Sequence, residues 1–283
     1  MTESPQALAG DGGRCLLYRD APSFEGRKTA AIGGFHCESP ASGAALLAQA
    51  GDMLRSEGFD AVLGPMDGDT WHNYRLVTES DGSPPFVLEP VSGPHDQAAF
   101  AASGFTPVSV YVSTRARLDD AIGPAPPIRR DDVTVAAWDG RDTEALIGKL
   151  FAMSTTSFGE RPYFKPITKA EFLKLYEPVL PLLDPRLVLF ARDGAGDLVG
   201  FLFGLANRLE GDKPHTVILK TYASARRGVG HLLADTFHRV ARDLGFVDVI
   251  HALMHVDNLS LDRSRQHAAR IFRRYALMGQ RLR

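Results

Sequence analysis

Apolar and polar positions along the chain keep two rhythms that alternate. Residues 29–37, TAAIGGFHC, form an apolar run of strand length. Residues 43–59, GAALLAQAGDMLRSEGF, place apolar side chains every three or four positions, which predicts a helix. AVLGPM (61–66) returns to strand. The same order recurs far downstream as TVILKTYA (216–223), GHLLADTFHRVARDLGF (230–246) and VDVIHALM (247–254). On the second helix Val229, Leu232, Leu233, Phe237, Val240 and Leu244 share one face. Gly58 and Gly245 each suit a left-handed helix terminus. Strand, helix and strand in this order imply a right-handed crossover.

The two stretches echo each other in sequence. LLA at 46–48 matches LLA at 232–234, and RSEGF (55–59) matches RDLGF (242–246). FAASGF (100–105) and YALMGQ (275–280) both read as the end of a short helix, with an aromatic residue four positions before a glycine. This is the pattern of an internal duplication. Residues 119–132, DDAIGPAPPIRRDD, lack periodicity and read as a linker between halves 1–118 and 133–283. The second half adds a strand (VTVAAW, 133–138), a helix (142–158) and a helix over 167–180. Thr168 and Glu171 form a capping-box pattern there. Two apolar runs around DGAGD read as a hairpin within 186–207. The fold class is α/β: two mixed sheets flanked by helices. The first half begins near a central strand, without the second half's opening strand and helices. The second half stops four residues after Gly279, without a last strand. The two sheets are therefore expected to pack together and complete each other.

Composition narrows the function. The 283 residues suffice for one large or two ordinary domains, and 44% hydrophobic with 23% charged residues is a globular balance. A net charge of -2 argues against a general nucleic-acid binder. No apolar run is long enough to span a membrane, and the first residues lack the regions of a signal peptide. Cys15 and Cys37 are the two cysteines, with no Cys/His spacing for zinc. They read as small buried hydrophobes in a reduced, cytoplasmic protein, with no metal site.

The candidate chemistry lies in ARRGVG, residues 225–230, where two arginines and two glycines precede the helix. Glycine weakens a helix, so another demand favours it here. One reading is an anion held on the open amides of a helix start; the other is a tight basic turn. The order around it is a strand, two helices, antiparallel strands, a strand entering a glycine loop, then helix, strand and helix. With that loop, the chain resembles the GNAT superfamily, the acyl-CoA-dependent N-acyltransferases. The family's loop pattern, Gln or Arg, two residues, Gly, any residue, Gly or Ala, falls on 225–230, with Ala225 in the first place. Tyr275, four residues before Gly279, matches a helical Tyr of the family, and Asn258 matches an Asn after the fifth strand. The resemblance covers 133–283 well and the first half as a shortened, altered copy.

The resemblance implies that coenzyme A lies along Leu219, Thr221 and Ala223. Its diphosphate would rest on Arg226, Arg227, Gly228, Val229, Gly230 and His231, with Asn258 nearby. Amides near Leu219 to Tyr222 would serve an oxyanion, and Tyr275 would protonate the leaving thiolate. Tyr275 otherwise reads as a packing aromatic. No general base stands out: His251, His255 and Asp257 read equally as structural or surface groups. Lys220 faces either the coenzyme or solvent. SFGERPYFKP (157–166) lines the acceptor pocket or caps the core. The cluster Trp71, His72, Asn73 and Tyr74 either binds a ligand or, the favoured reading, fills the interface between halves. In the first half ESPASGA (38–44) stands in place of the basic loop, and Phe100 in place of Tyr275. That half is read as non-catalytic. The implied function is acyl transfer, most simply acetyl transfer, from acyl-CoA to a small-molecule or protein amine, with no nucleic-acid or membrane partner. The alternatives are a sensor of acyl-CoA or a metabolite, and a transferase fed by aminoacyl-tRNA.

Overall fold

The computed structural model describes residues 4–258, 261, 264 and 267–282. The first half contains β1 (Gln6–Gly10), β2 (Gly13–Tyr18), β3 (Thr29–Cys37), α1 (Pro40–Ser56), β4 (Ala61–Gly64), β5 (Leu76–Ser80), α2 (Asp96–Ala102) and β6 (Thr106–Arg117). A short helix α3 (Leu118–Ile122) follows. The second half contains β7 (Val133–Ala137), α4 (Thr143–Phe158), α5 (Lys169–Tyr176), β8 (Val188–Asp193), β9 (Leu198–Ala206), β10 (Thr216–Ser224), α6 (Val229–Asp243), β11 (Asp248–His255) and β12 (Arg270–Arg281).

All twelve strands belong to one sheet, in the order β1-β2-β3-β4-β12-β6-β11-β10-β9-β8-β7, with β5 paired to β12. β3 with β4, and β10 with β11, are the parallel pairs expected of the two crossovers. Between them the halves trade strands. The chain's last strand, β12, completes the first half's sheet beside β4. The first half's last strand, β6, completes the second half's sheet beside β11. The exchanged strands pair with each other along most of their twelve-residue lengths. The exchange closes two edges that would otherwise present unpaired backbone.

Two expectations are corrected. Residues 275–280 are strand, not helix, so the second half does have a last strand. β12 is central, and its stretch Tyr275–Met278 is buried on both faces; a short apolar run of that kind carries no period to separate strand from helix. The first half does not begin near its central strand, because the hairpin β1–β2 precedes it.

The other expected helices form, α5 over Lys169–Tyr176 only. α5 begins at Thr168 with the reciprocal capping box to Glu171. On α6 the side chains of Val229, Leu232, Leu233 and Phe237 are buried against β9 and β10. Burying Phe237 contributes about 2–3 kcal/mol. Gly204 on β9 makes this approach possible, since a Cβ there would lie 2.2 Å from the Phe237 ring. Residues 119–132 do not hang free. They start as α3 and run along α6, where Arg239 donates to the Ala125 carbonyl (2.9 Å) and the Ile128 amide donates to Asp235 (3.0 Å). On the opposite face α4 and α5 pack with Phe86 and Val87 of the first half. Trp71 also crosses over: its ring meets Phe164 and Phe172 edge-on, and its Nε1 donates to the Lys165 carbonyl at 2.7 Å. Both cysteines are buried and free. Among the described residues no helix is long and apolar enough to cross a membrane.

Candidate functional site

β10 leaves the sheet through residues 225–228 and the chain turns directly into α6. Gly228 occupies the N-cap at φ 85°, and a Cβ there would lie 2.8 Å from Nη1 of Arg130. Several amides of the turn are used internally. Ala225 donates to Val199, Val229 to Arg226, and both His231 and Leu232 to the Gly228 carbonyl. The amides of Arg227, Gly228 and Gly230 have no protein acceptor among the described residues. Arg130 donates to the Arg227 carbonyl (2.7 Å) and pairs with Asp132. Arg226 pairs with Asp193 at 2.5 Å, and Arg227 is exposed beside them. The turn thus gathers open amides, the positive end of the α6 dipole and the exposed Arg227, with Arg130 and Arg226 engaged by Asp132 and Asp193.

The same sheet edge carries a gap. β10 and β11 pair only over Thr216–Leu219 and Asp248–His251. Beyond that β10 pairs with β9 alone, and β11 with β6 alone. Both strands are irregular where they part. The register with β9 slips between Leu219 and Thr221, which makes Lys220 an extra, bulged residue. On β11 the register slips between His251 and Met254, and Leu253 has φ 55°.

A group of polar side chains from both halves lies around this gap. Lys220 is half-buried, with its Nζ donating to the Leu88 carbonyl (2.9 Å). Desolvation, reinforced by Arg75, pulls its pKa down to about 7. Glu89 pairs with Arg273 at 2.5 Å and accepts from the Tyr275 hydroxyl. Arg75 is buried between the rings of Tyr74 and Tyr111. Thus Trp71, Arg75, Leu88 and Glu89 of the first half roof the second half's sheet.

No protein-family model and no curated protein matches the sequence. Solved structures do. A GCN5-related N-acetyltransferase from Sphaerobacter thermophilus superposes with a TM-score of 0.57 at 16% identity, over 96% of this chain and 77% of that one. A tandem GNAT protein from the clavulanic acid biosynthesis pathway gives 0.57 at 14% identity, over 96% and 79%. A probable N-acyltransferase from Enterococcus faecalis V583 gives 0.55 at 12% identity, over 96% and 59%. The fold is that of a tandem GNAT protein.

Within the tandem GNAT fold the residues named from sequence divide into three groups. Arg226, Arg227, Gly228, Val229, Gly230 and His231 lie together at the start of α6, although Val229 points into the core and is fully buried. Leu219, Thr221 and Ala223 lie on β10 where it parts from β11, with Leu219 and Ala223 buried in the core. Asn258 sits in the turn after β11, its amide donating to His255. β11 is parallel to β10, so this turn is on the same sheet edge as the loop.

Tyr275 is corrected. It lies within β12 between β5 and β6 and is fully buried. Its hydroxyl donates to Glu89 and lies 3.1 Å from the Ser113 hydroxyl, and burial together with Glu89 pushes its pKa upward. The thiolate-protonating role was carried over from a helical position that this residue does not occupy. His251 is also removed from the bases: it is buried, and its Nδ1 and Nε2 are taken by Ser264 (2.7 Å) and His238 (2.9 Å). Desolvation lowers its pKa to about 3 and that of His238 well below normal. Sequence reasoning passed over Arg75, Glu89, Arg130 and Arg273. The available signal was a lone charge within an apolar run, as in YRLV and FVLEPV. Of the cluster Trp71, His72, Asn73 and Tyr74, Trp71 packs on the second half and Tyr74 is buried against Tyr111, while His72 and Asn73 are exposed.

Proposed function

We propose that this chain transfers an acyl group from acyl-CoA, most simply acetyl-CoA, to an amine. The observation that carries the reading is the open start of α6. The unclaimed amides of Arg227, Gly228 and Gly230, a left-handed glycine and the exposed Arg227 suit a diphosphate, with Arg130 and Arg226 held beside them by Asp132 and Asp193. When bound, acyl-CoA supplies the acyl group as a thioester. The fold shared with solved N-acetyltransferases supports the reading.

The chain's own groups have definite tasks. The β10 backbone past Leu219 has no strand partner on the β11 side, which leaves amides for a developing oxyanion. Lys220 sits among them. With its pKa near 7 it is neutral in about half the molecules at neutral pH, and so accepts the proton of an incoming ammonium. A C–N bond then forms as the C–S bond breaks, and the proton shed by the nitrogen completes the coenzyme thiol. Among the candidate bases Lys220 best joins position to basicity. The first half binds no second coenzyme in this reading. Its corresponding helix start, α1, is closed by Pro40 and by the Ser39–Ser42 capping box.

The full chain should bind acetyl-CoA in a calorimetric titration and release free thiol when an accepted amine is added. Binding without thiol release from any amine would make it an acyl-CoA-binding module. No binding of the coenzyme would sink the reading altogether.

A further inference from the structure

Arg75 presents a charge that the protein itself does not neutralise. Its residue is 8% exposed, and it pairs with no carboxylate among the described residues. The rings of Tyr74 and Tyr111 cover the guanidinium at 4.0 and 3.7 Å from their centroids, and one Nη donates to the Tyr74 hydroxyl. Its Nε is buried with no acceptor. The backbone is held at φ 90°, a region that bulky residues avoid. A buried guanidinium without a counter-ion is costly, and so is an unsatisfied buried donor.

The neighbourhood does not repair this. Glu89 is the one carboxylate in the cluster, and it already serves Arg273 and the Tyr275 hydroxyl. Lys220 acts electrostatically on the same spot with the wrong sign. His255 stacks edge-on against Tyr111 and is paired with Asp257, which is exposed. Among the described residues the Arg75 cluster is one anion short, and the ring faces cover the guanidinium plane, which leaves its in-plane donors as the groups to receive one.

We propose that Arg75 anchors the carboxylate of the acceptor, which is therefore a small amino-acid-like molecule bearing both an amine and a carboxylate. This substrate class rests on the acyl-transfer reading. The burial of Arg75 admits a small group rather than a folded protein surface. The Leu88 carbonyl, which already accepts from Nζ of Lys220, is the neighbouring acceptor for the substrate's amine.

Thermal unfolding of the full chain tests this without the coenzyme. Free amino acids are compared with their own carboxamides. At least one amino acid should raise the midpoint by about 3 °C or more at saturation, and its carboxamide should not. Arg75→Met should lose the shift. Without ligand it should unfold at or above the wild-type temperature, because Met carries the same backbone penalty and leaves no buried charge. Arg75→Lys, which keeps the charge without the fork, should weaken the amino acid at least about tenfold. The proposal is overturned if no amino acid outperforms its carboxamide, or if Arg75→Met unfolds well below wild type or fails to fold. Either would make the guanidinium a structural strut. Acetyl-CoA titration is read separately: its failure sinks acyl transfer and leaves a carboxylate site standing.

Discussion

Lys220 owes its chemistry to one extra residue in a strand. The bulge moves its ammonium out of water and beside Arg75, and both effects favour the neutral amine. If it is the base, kcat/KM should rise as pH passes through about 7, and Lys220→Met should lose that limb together with ~10²-fold or more of activity. An unchanged profile in the variant would remove Lys220 from the mechanism. A second titration concerns stability. His238 and His251 are held neutral in the fold, while unfolded histidine has a pKa of about 6.5. The unfolded chain therefore takes up protons that the fold refuses. Stability should be full above pH 6.5 and fall as pH drops from there toward 3, by about 1.4 kcal/mol per pH unit for each neutral histidine. Urea unfolding at stepwise lower pH would show it, and His251→Gln should flatten the slope.

α1 and α6 begin the same crossover in their respective halves but end their first turns differently. α1 spends a serine pair on its own amides; α6 spends none of its side chains and starts at a glycine. Gly228→Val would force a β-branched residue to φ 85° and drive a side chain against Arg130. Acyl-CoA affinity should fall about tenfold or more while the circular dichroism of the fold is retained. Equal affinity in the variant would place the diphosphate elsewhere. α6 was legible from sequence because its apolar stripe and its terminal Gly245, at φ 92°, are local signals. β12 was not, because its central stretch Tyr275–Met278 is apolar and buried on both faces, and Tyr275 was misplaced with it.

Across the whole molecule, the exchange of β6 and β12 makes each half incomplete without the other. β4 and β12 pair across more than two hundred residues of chain, a separation that slows folding more than it costs stability. Fragments 1–132 and 133–283 should each fail to unfold cooperatively when made separately, and should regain a cooperative transition when mixed. A fragment 133–283 as stable alone as the full chain would show that β6 is dispensable to the second half. Besides the exchanged strands, residues of the stretch 71–89 reach the second half: Trp71, Phe86 and Val87 pack on its helices and strands, and Leu88 accepts from Lys220.

By itself the sequence determined what depends on near neighbours. The repeated strand–helix–strand units, the capping box at Thr168 and the glycine entry to α6 are all written within a few residues, where periodicity and backbone freedom act. Only the tertiary structure decided which strand lies beside which, and which charge faces which. β12 beside β4, Glu89 beside Arg273 and Lys220 beside Arg75 are meetings between distant segments. Burial then assigns those groups their pairing and protonation, and burial is a property of the assembled sheet.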